Sequence, residues 1–324
     1  MINIFKIGHL PYTPFDQNFS KDDLFYLNKK RIKITRNKDN ADIFIAGNHK
    51  SLKRFILKNP SRKNYLIWAQ EPRFSTTSSS TYYPFFIFPK VHVMNIYTGD
   101  VFVNNVTYQE KRFKNNSKLD LLNRDFEISN KKVAALMSYY NGGKTSKVIV
   151  DGNNIDLIRK RSDIAQYLLS ENMIDIYGQG WPKSISIEDS RFTDRHSRKK
   201  DILKNFNFNL CFENTVYPKY ITEKIWESIE NYCLPIYYGG SKSSIYEVFP
   251  KRSFIDYSEI ESPRKLMELI KNISKEEFIE RLNICLLVYN SFCEKPDEYW
   301  QCTRETKLDN IVKRCNLMTN TQFK

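Results

Sequence analysis

No Asp-x-Asp pair occurs in the 324 residues, and the four histidines (9, 49, 92 and 196) are scattered. Clustered oxygen ligands hold a divalent cation against a diphosphate, so no carboxylate metal cradle is expected and no cofactor is called for. The six cysteines (211, 233, 285, 293, 302 and 315) form no Cys-x-x-Cys and no zinc spacing. Cys211 and Cys233 sit in apolar surroundings and read as buried thiols, while pairing among the last four is not implied. No run approaches the ~20 apolar residues that span a bilayer. Met1 to Leu10 has only a short apolar run and no cleavage site. A reducing, cytoplasmic setting is expected, with the sequons at Asn18, Asn105, Asn115 and Asn272 as chance matches. The ten glycines complete neither common nucleotide motif. Gly178-Gln-Gly180 is followed by Lys183 where a dinucleotide fingerprint needs its third glycine, and Ser138 stands where a phosphate loop ending in Gly143-Lys144-Thr145 needs its first.

Aromatic residues are plentiful (20 Tyr, 22 Phe, 4 Trp) and support a folded enzyme. Against 37 acidic residues stand 51 basic ones, a formal net charge of +14. That balance suits an anionic partner: a nucleotide diphosphate, an anionic membrane surface touched peripherally at its inner face, or nucleic acid. The length, at 38.5 kDa, suits two domains with separate cores.

Ile2–Ile7, Ala41–Ile45 and Tyr65–Trp68 read as strands, with a short helix over Ser51–Leu57. The third strand runs into Gln70-Glu71-Pro72-Arg73, where the proline keeps Glu71 out of helical geometry. A carboxylate is thereby set at the carboxyl end of a strand, the rim where open α/β sheets bind ligands; pairing with Arg73 is the alternative. Ser75–Ser80 reads as a mobile loop. The aromatic run Tyr82–Pro89 suits either a sugar-facing wall or core packing. Lys111–Arg124 is polar, without helical periodicity, and reads as a linker. Lys132–Ser138 is the next strand, and a basic start at Arg159, Lys160 and Arg161 opens an amphipathic helix. Arg191–Lys200 reads as a hydrophilic loop. Ser262–Lys271 and Glu276–Tyr289 read as helices, and the chain beyond Pro296 as a helical tail packing back on the first domain. The expected division is 1–125, 126–295 and 296–324.

The most informative stretch is 206–240. Phe206–Phe212 suits a strand. Thr222 suits an N-cap, and Ile225, Trp226, Ile229 and Cys233 give the following helix an apolar face. Leu234–Tyr238 is a second strand, closed by Gly239-Gly240. Strand, helix and strand in about 30 residues is a βαβ unit, which requires a parallel pair and a right-handed crossover. Lys224 falls in the helix's first turn, where the macrodipole disfavours a cation by roughly 0.3–1 kcal/mol. An anion at the same place, such as a diphosphate on the helix N-terminus, would account for it; a solvated lysine pointing away is the alternative.

Phe212-Glu213-Asn214-Thr215, Tyr220-Ile221-Thr222-Glu223-Lys224 and Ser253-Phe254-Ile255-Asp256 resemble, in residues and spacing, the donor signature of the α-1,3/4-fucosyltransferases, glycosyltransferase family 10. The resemblance extends over roughly 125–265. It implies an α/β fold of GT-B type, with two Rossmann-like domains facing across a cleft, and a metal-free transfer of L-fucose from GDP-β-L-fucose with inversion. It further implies that Asn214, Tyr220, Glu223 and Lys224 bind the donor, that Arg161 (with Arg159 as runner-up) contacts its phosphate, and that Glu71 is the general base. Gln-Glu-Pro-Arg replaces the family's more usual Glu-Ser-Pro around that glutamate. The implied partners are GDP-fucose and a glycan or glycoconjugate acceptor of GlcNAc type, lipopolysaccharide fragments included. Two rivals stand beside this reading: a GT-B transferase using another nucleotide deoxysugar, and, more remotely, a basic nucleic-acid or surface-binding protein. Against the latter, the charge is spread along the chain with no nucleic-acid motif.

Overall fold

The computed structural model describes residues 1–16, 21–60, 63–86, 89–140, 147–189, 194–260 and 262–320, without the side chains of Arg195 and His196. The chain divides into two compact units: 1–107 with 150–153 and 296–324, and 108–149 with 154–295.

The first unit is built on β1 (Ile2–Ile7), α1 (Lys21–Lys29), β2 (Ile32–Thr35), β3 (Ile43–Ala46), α2 (His49–Lys58), β4 (Asn64–Ala69), β5 (Thr81–Tyr82) and β6 (Val91–Asn95). The sheet order is β2-β1-β3-β4-β6-β5, parallel throughout except for β5 against β6. β3 and β6 are buried along their whole length, as strands covered on both faces must be. One core cluster joins Phe44, Tyr65 and Ile67 of the sheet to Leu52 and Ile56 of α2. Asn48 caps α2 by accepting the Ser51 N–H at 2.9 Å. The terminal helix Asp297–Thr319 belongs to this unit. It buries Trp300, Leu308 and Ile311, and its Lys307 ammonium meets Asp23 of α1 at 3.2 Å with both side chains 8% exposed. Removing one partner of so buried a pair typically costs about 3–5 kcal/mol.

In the second unit come α3 (Glu110–Asn115), β7 (Val133–Leu136), α4 (Ile158–Ser170), β10 (Ile174–Tyr177), α5 (Arg195–Leu203), β11 (Phe208–Leu210), α6 (Glu223–Glu230), β12 (Leu234–Tyr237), β13 (Ile255–Asp256), α7 (Pro263–Asn272) and α8 (Lys275–Cys293), leaving the terminal helix as α9; a separate two-stranded ribbon, β8 (Ile149–Val150) and β9 (Asn153–Asn154), flanks the insertion 150–153 that is assigned to the first unit. The order β10-β7-β11-β12-β13 is parallel throughout. β11, α6 and β12 are the βαβ unit expected from 206–240. At the end of β10, Gly178 has φ +149°, and a Cβ there would lie 2.3 Å from the Met137 carbonyl oxygen. Only glycine lets these two strand ends approach so closely.

Several expectations need correction. The division between the units falls at 107/108 and not at 125/126. Lys111–Arg124 is no linker: α3 buries Phe113 edge-on against Trp226 at 5.0 Å. Beyond it the chain is strapped along α8, where Asn290 exchanges hydrogen bonds with the Leu119 backbone and Asn283 with that of Leu122, all at 2.8–2.9 Å. The two asparagines stand seven residues apart, two helical turns, and so share one face. Within the stretch read as the hydrophilic loop Arg191–Lys200, α5 begins at Arg195; residues 191–193 lie outside the described set, as do Gly143-Lys144-Thr145 and Asn18. Ser75 is buried, held by Asn95 and His49, instead of leading a loose loop. α1, β2 and β6 lie in stretches the sequence left unassigned, because Ile32–Thr35 is short and flanked by basic residues and β6 carries a buried histidine.

His92 in β6 is 8% exposed, and burial together with Arg314 and Lys90 lowers its pKa from 6.5 to about 4. The unfolded chain therefore takes up this proton at higher pH than the folded one. The stability that the neutral, buried His92 contributes is full above pH 6.5 and drains as the pH falls toward 4. Thermal unfolding followed across that interval should show a falling Tm in the wild type and a flatter profile in His92→Gln.

Candidate active site

β11 ends at Leu210, and its extension Cys211-Phe212-Glu213 carries a carboxylate into the interior at the strand's carboxyl end. The Glu213 side chain is 3% exposed. A charge taken so far out of water needs several partners. Glu213 Oε1 accepts from the Thr222 N–H (2.8 Å), the Thr222 hydroxyl (2.8 Å) and the Tyr237 hydroxyl (3.3 Å), and Oε2 accepts from Lys224 Nζ at 2.7 Å. Lys224 Nζ also donates to Thr222 Oγ1 at 2.7 Å. Thr222 does occupy the N-cap position of α6, yet its side chain makes no cap hydrogen bond to the helix, being spent on Glu213 and Lys224. The anion that makes a lysine acceptable in this first turn is thus present within the chain. α6 itself is held to the strand by Asn209 Nδ2, which donates to Ser228 Oγ at 2.6 Å.

Burial alone would lower the Lys224 pKa, but the carboxylates of Glu213 and Glu223 and the bond to Glu213 outweigh it and hold the ammonium charged well above the ordinary lysine range. Arg161 works in the opposite direction, a second cation close enough to oppose the first. It is buried on α4, and its Nη1 donates to the Phe212 carbonyl at 3.3 Å. Arg159, one of the two candidates on this helix, is exposed. Glu223 lies 4.0 Å from Lys224 with its side chain 43% exposed. Burial would raise its pKa; Lys224 and Lys199 pull it down to about 2. Asn214 is half-buried, and its carbonyl accepts the Leu157 N–H at 3.0 Å, joining the start of α4 to the loop that follows β11. Tyr220 is buried, 4% exposed, and near enough to Tyr237 to help raise that residue's pKa. The fold therefore gathers Arg161, Asn214, Tyr220, Glu223 and Lys224 at one corner of the second unit. Arg161 and Lys224, with the N-terminus of α6 beside them, give this corner two cations that can meet a phosphate ester, against the carboxylates of Glu213 and Glu223.

Glu71 belongs to the first unit, just past β4 and exposed, in a turn closed by the Phe74 N–H on the Glu71 carbonyl at 3.1 Å. Its loop is fixed from behind. Tyr97 donates its hydroxyl to the Pro72 carbonyl at 3.0 Å, and Gln70 Nε2 donates to the Tyr12 carbonyl at 3.0 Å. The buried Asn95 amide donates to Ser75 and to the Thr77 carbonyl, and His49 Nε2 meets the Ser75 hydroxyl at 2.9 Å. In the aromatic run, Tyr83 and Phe86 are exposed and Tyr82 packs on the His49 ring at 4.5 Å, while residues 87–88 fall outside the described set. Among the described residues no cluster of three or more His, Cys, Asp or Glu could hold a metal ion, and no helix is long and apolar enough to cross a membrane.

Glu213 and Thr222 carry more of this corner than the sequence reading gave them. The signal was available: an acidic residue at the end of the apolar run Phe206–Phe212 is a buried charge in search of a cation.

Residues 142–281 match the family described as glycosyltransferase family 10 (fucosyltransferase), C-terminal. Over 77 residues (24% of this chain) the sequence is 34% identical to the 4-galactosyl-N-acetylglucosaminide 3-alpha-L-fucosyltransferase FUT6 of Pongo pygmaeus. Over 137 residues (41%) it is 28% identical to the 3-galactosyl-N-acetylglucosaminide 4-alpha-L-fucosyltransferase FUT3 of Pan troglodytes. These matches cover 21% and 33% of the two relatives' own lengths. Among solved structures, an alpha1,3-fucosyltransferase aligns over 92% of this chain and 91% of its own, with a TM-score of 0.50 and 13% identity, a likeness of fold. Residues 212–224, which carry the signature and its corner, lie in the second unit and within the segment 142–281 that matches glycosyltransferase family 10.

Proposed function

We propose that the protein is an inverting α-1,3 (or 1,4) fucosyltransferase that moves L-fucose from GDP-β-L-fucose to a hydroxyl of a GlcNAc-type glycan. The observation that carries this reading is the cationic corner of Arg161 and Lys224 at the start of α6, inside the family-10 segment. The curated relatives are named for α-L-fucose transfer to galactosyl-N-acetylglucosaminides, which supports both the sugar and the acceptor class.

In this mechanism Arg161, Lys224 and the α6 N–H groups take the charge that grows on the GDP oxygens as the bond to the sugar's anomeric carbon breaks. Glu223, held ionised by its lysine neighbours, and Asn214 and Tyr220 hold the nucleotide and sugar. Glu71 accepts the proton of the acceptor hydroxyl while that oxygen attacks the anomeric carbon opposite GDP. The bonding pair leaves with GDP, and one displacement turns the β donor into an α product. The chain's own cations stabilise the leaving group, so the reaction calls for no metal.

Incubation with GDP-fucose and N-acetyllactosamine, lacto-N-biose or lipopolysaccharide fragments should give a product heavier by one deoxyhexose. Transfer from a different nucleotide deoxysugar alone would replace the donor assignment, and chelation by EDTA should leave turnover unchanged. Glu71→Gln should lower kcat roughly 10²- to 10⁴-fold with GDP affinity unaltered by calorimetry; near-full turnover would remove Glu71 from the mechanism. Lys224→Ala loses a charge-assisted bond of roughly 1.5–3 kcal/mol, so GDP should bind about 10- to 100-fold more weakly.

A further inference from the structure

The mechanism gives Lys224 to the donor and leaves Glu213 without a part. Glu213 is the more deeply buried of the two, 3% exposed against 27%. Every hydrogen bond it accepts from a described residue comes from Thr222, Lys224 or Tyr237. An ammonium has three N–H donors. Lys224 spends one on Glu213 and one on Thr222, both at 2.7 Å, and no described residue accepts the third in a hydrogen bond. A four-carbon side chain otherwise free to sample many rotamers is thereby held at two points.

We infer that Glu213 is a positioning residue for the donor diphosphate: it fixes the Lys224 ammonium, directly and through the Thr222 hydroxyl, and leaves one N–H for a phosphate oxygen. The ligand in this statement rests on the donor reading above; the anchor itself rests on the geometry. Two effects of the carboxylate oppose each other. It cancels part of the positive charge a phosphate would meet, which weakens binding, and it removes the cost of ordering Lys224, which strengthens it. Positioning means that the second effect wins. The Thr222 hydroxyl is the relay, since it donates to Glu213 while accepting from Lys224.

The sign of one substitution decides between them. Glu213→Gln keeps the side chain's shape, removes the charge and frees Lys224. GDP titrated calorimetrically into the full-length protein should bind about tenfold more weakly. Independently of any donor, competitive acetylation with acetic anhydride at alkaline pH should label Lys224 about tenfold faster in the variant, the rate expected if its pKa falls by one unit. Equal labelling rates would overturn the inference. So would unchanged or tighter GDP binding by a folded Glu213→Gln protein, the result expected of a carboxylate that only screens the site. Should Glu213→Gln not fold, Thr222→Val tests the relay, with faster labelling and weaker GDP binding expected and wild-type values for both overturning it. A wild type that fails to bind GDP while the labelling contrast persists would reject the nucleotide and support the anchor.

Discussion

A carboxylate enclosed at the end of a parallel strand constrains everything around it. Once Phe208–Leu210 is buried and the chain continues inward to Glu213, that charge must be met by a cation and by N–H and O–H donors, or the strand end could not be buried. Lys224 and Thr222 meet it, and both lie at the start of α6. The ion pair therefore sets where the helix begins, spends its capping hydroxyl and places a lysine against the macrodipole. Tyr237 on β12 adds its hydroxyl, so strand, helix and returning strand share one acceptor.

Chemistry at this corner follows from parallel topology. Because every strand of the second sheet runs the same way, their carboxyl ends and the succeeding loops collect on one rim. There Arg161 reaches from α4 to the Phe212 carbonyl, and the Leu157 N–H bonds the Asn214 carbonyl. Side chains more than fifty positions apart in sequence thus contribute to a single electrostatic environment, in which Glu223 is held ionised and Lys224 protonated far outside their ordinary ranges. Glycine enters where backbone meets backbone: Gly178 lets β10 end against Met137, and no side chain fits between.

The elements most legible in the sequence were those with dense apolar patterning. Ile2–Ile7, the βαβ unit around α6, and the helices α7 and α8 could be placed because their periodicity or their punctuation by Pro235, Pro263 and Gly239 leaves few alternatives. Polar segments were misread for the same reason. Leu119 and Leu122 hang on amides from Asn290 and Asn283, whose partners lie about 160–170 residues away and leave no local trace. Ser75 belongs to a serine-threonine run that composition reads as loose, yet Asn95 and His49 close over it. Lys307 and Asp23 are ordinary surface residues by type and become a buried pair only because α9 packs on α1.

The sequence by itself determined the class of fold, the family signature from Phe212 to Lys224, and the residue types able to hold a diphosphate, since spacing and hydrophobic period are local properties of the chain. Which of those residues meet was decided by tertiary structure. Only folding could show that Lys224 is already engaged by Glu213, that Arg161 turns inward while Arg159 faces solvent, and that Thr222 serves a carboxylate instead of its own helix. Desolvation is the physical reason: a charge's partners are chosen by what the surrounding packing excludes, and sequence distance carries no record of that choice.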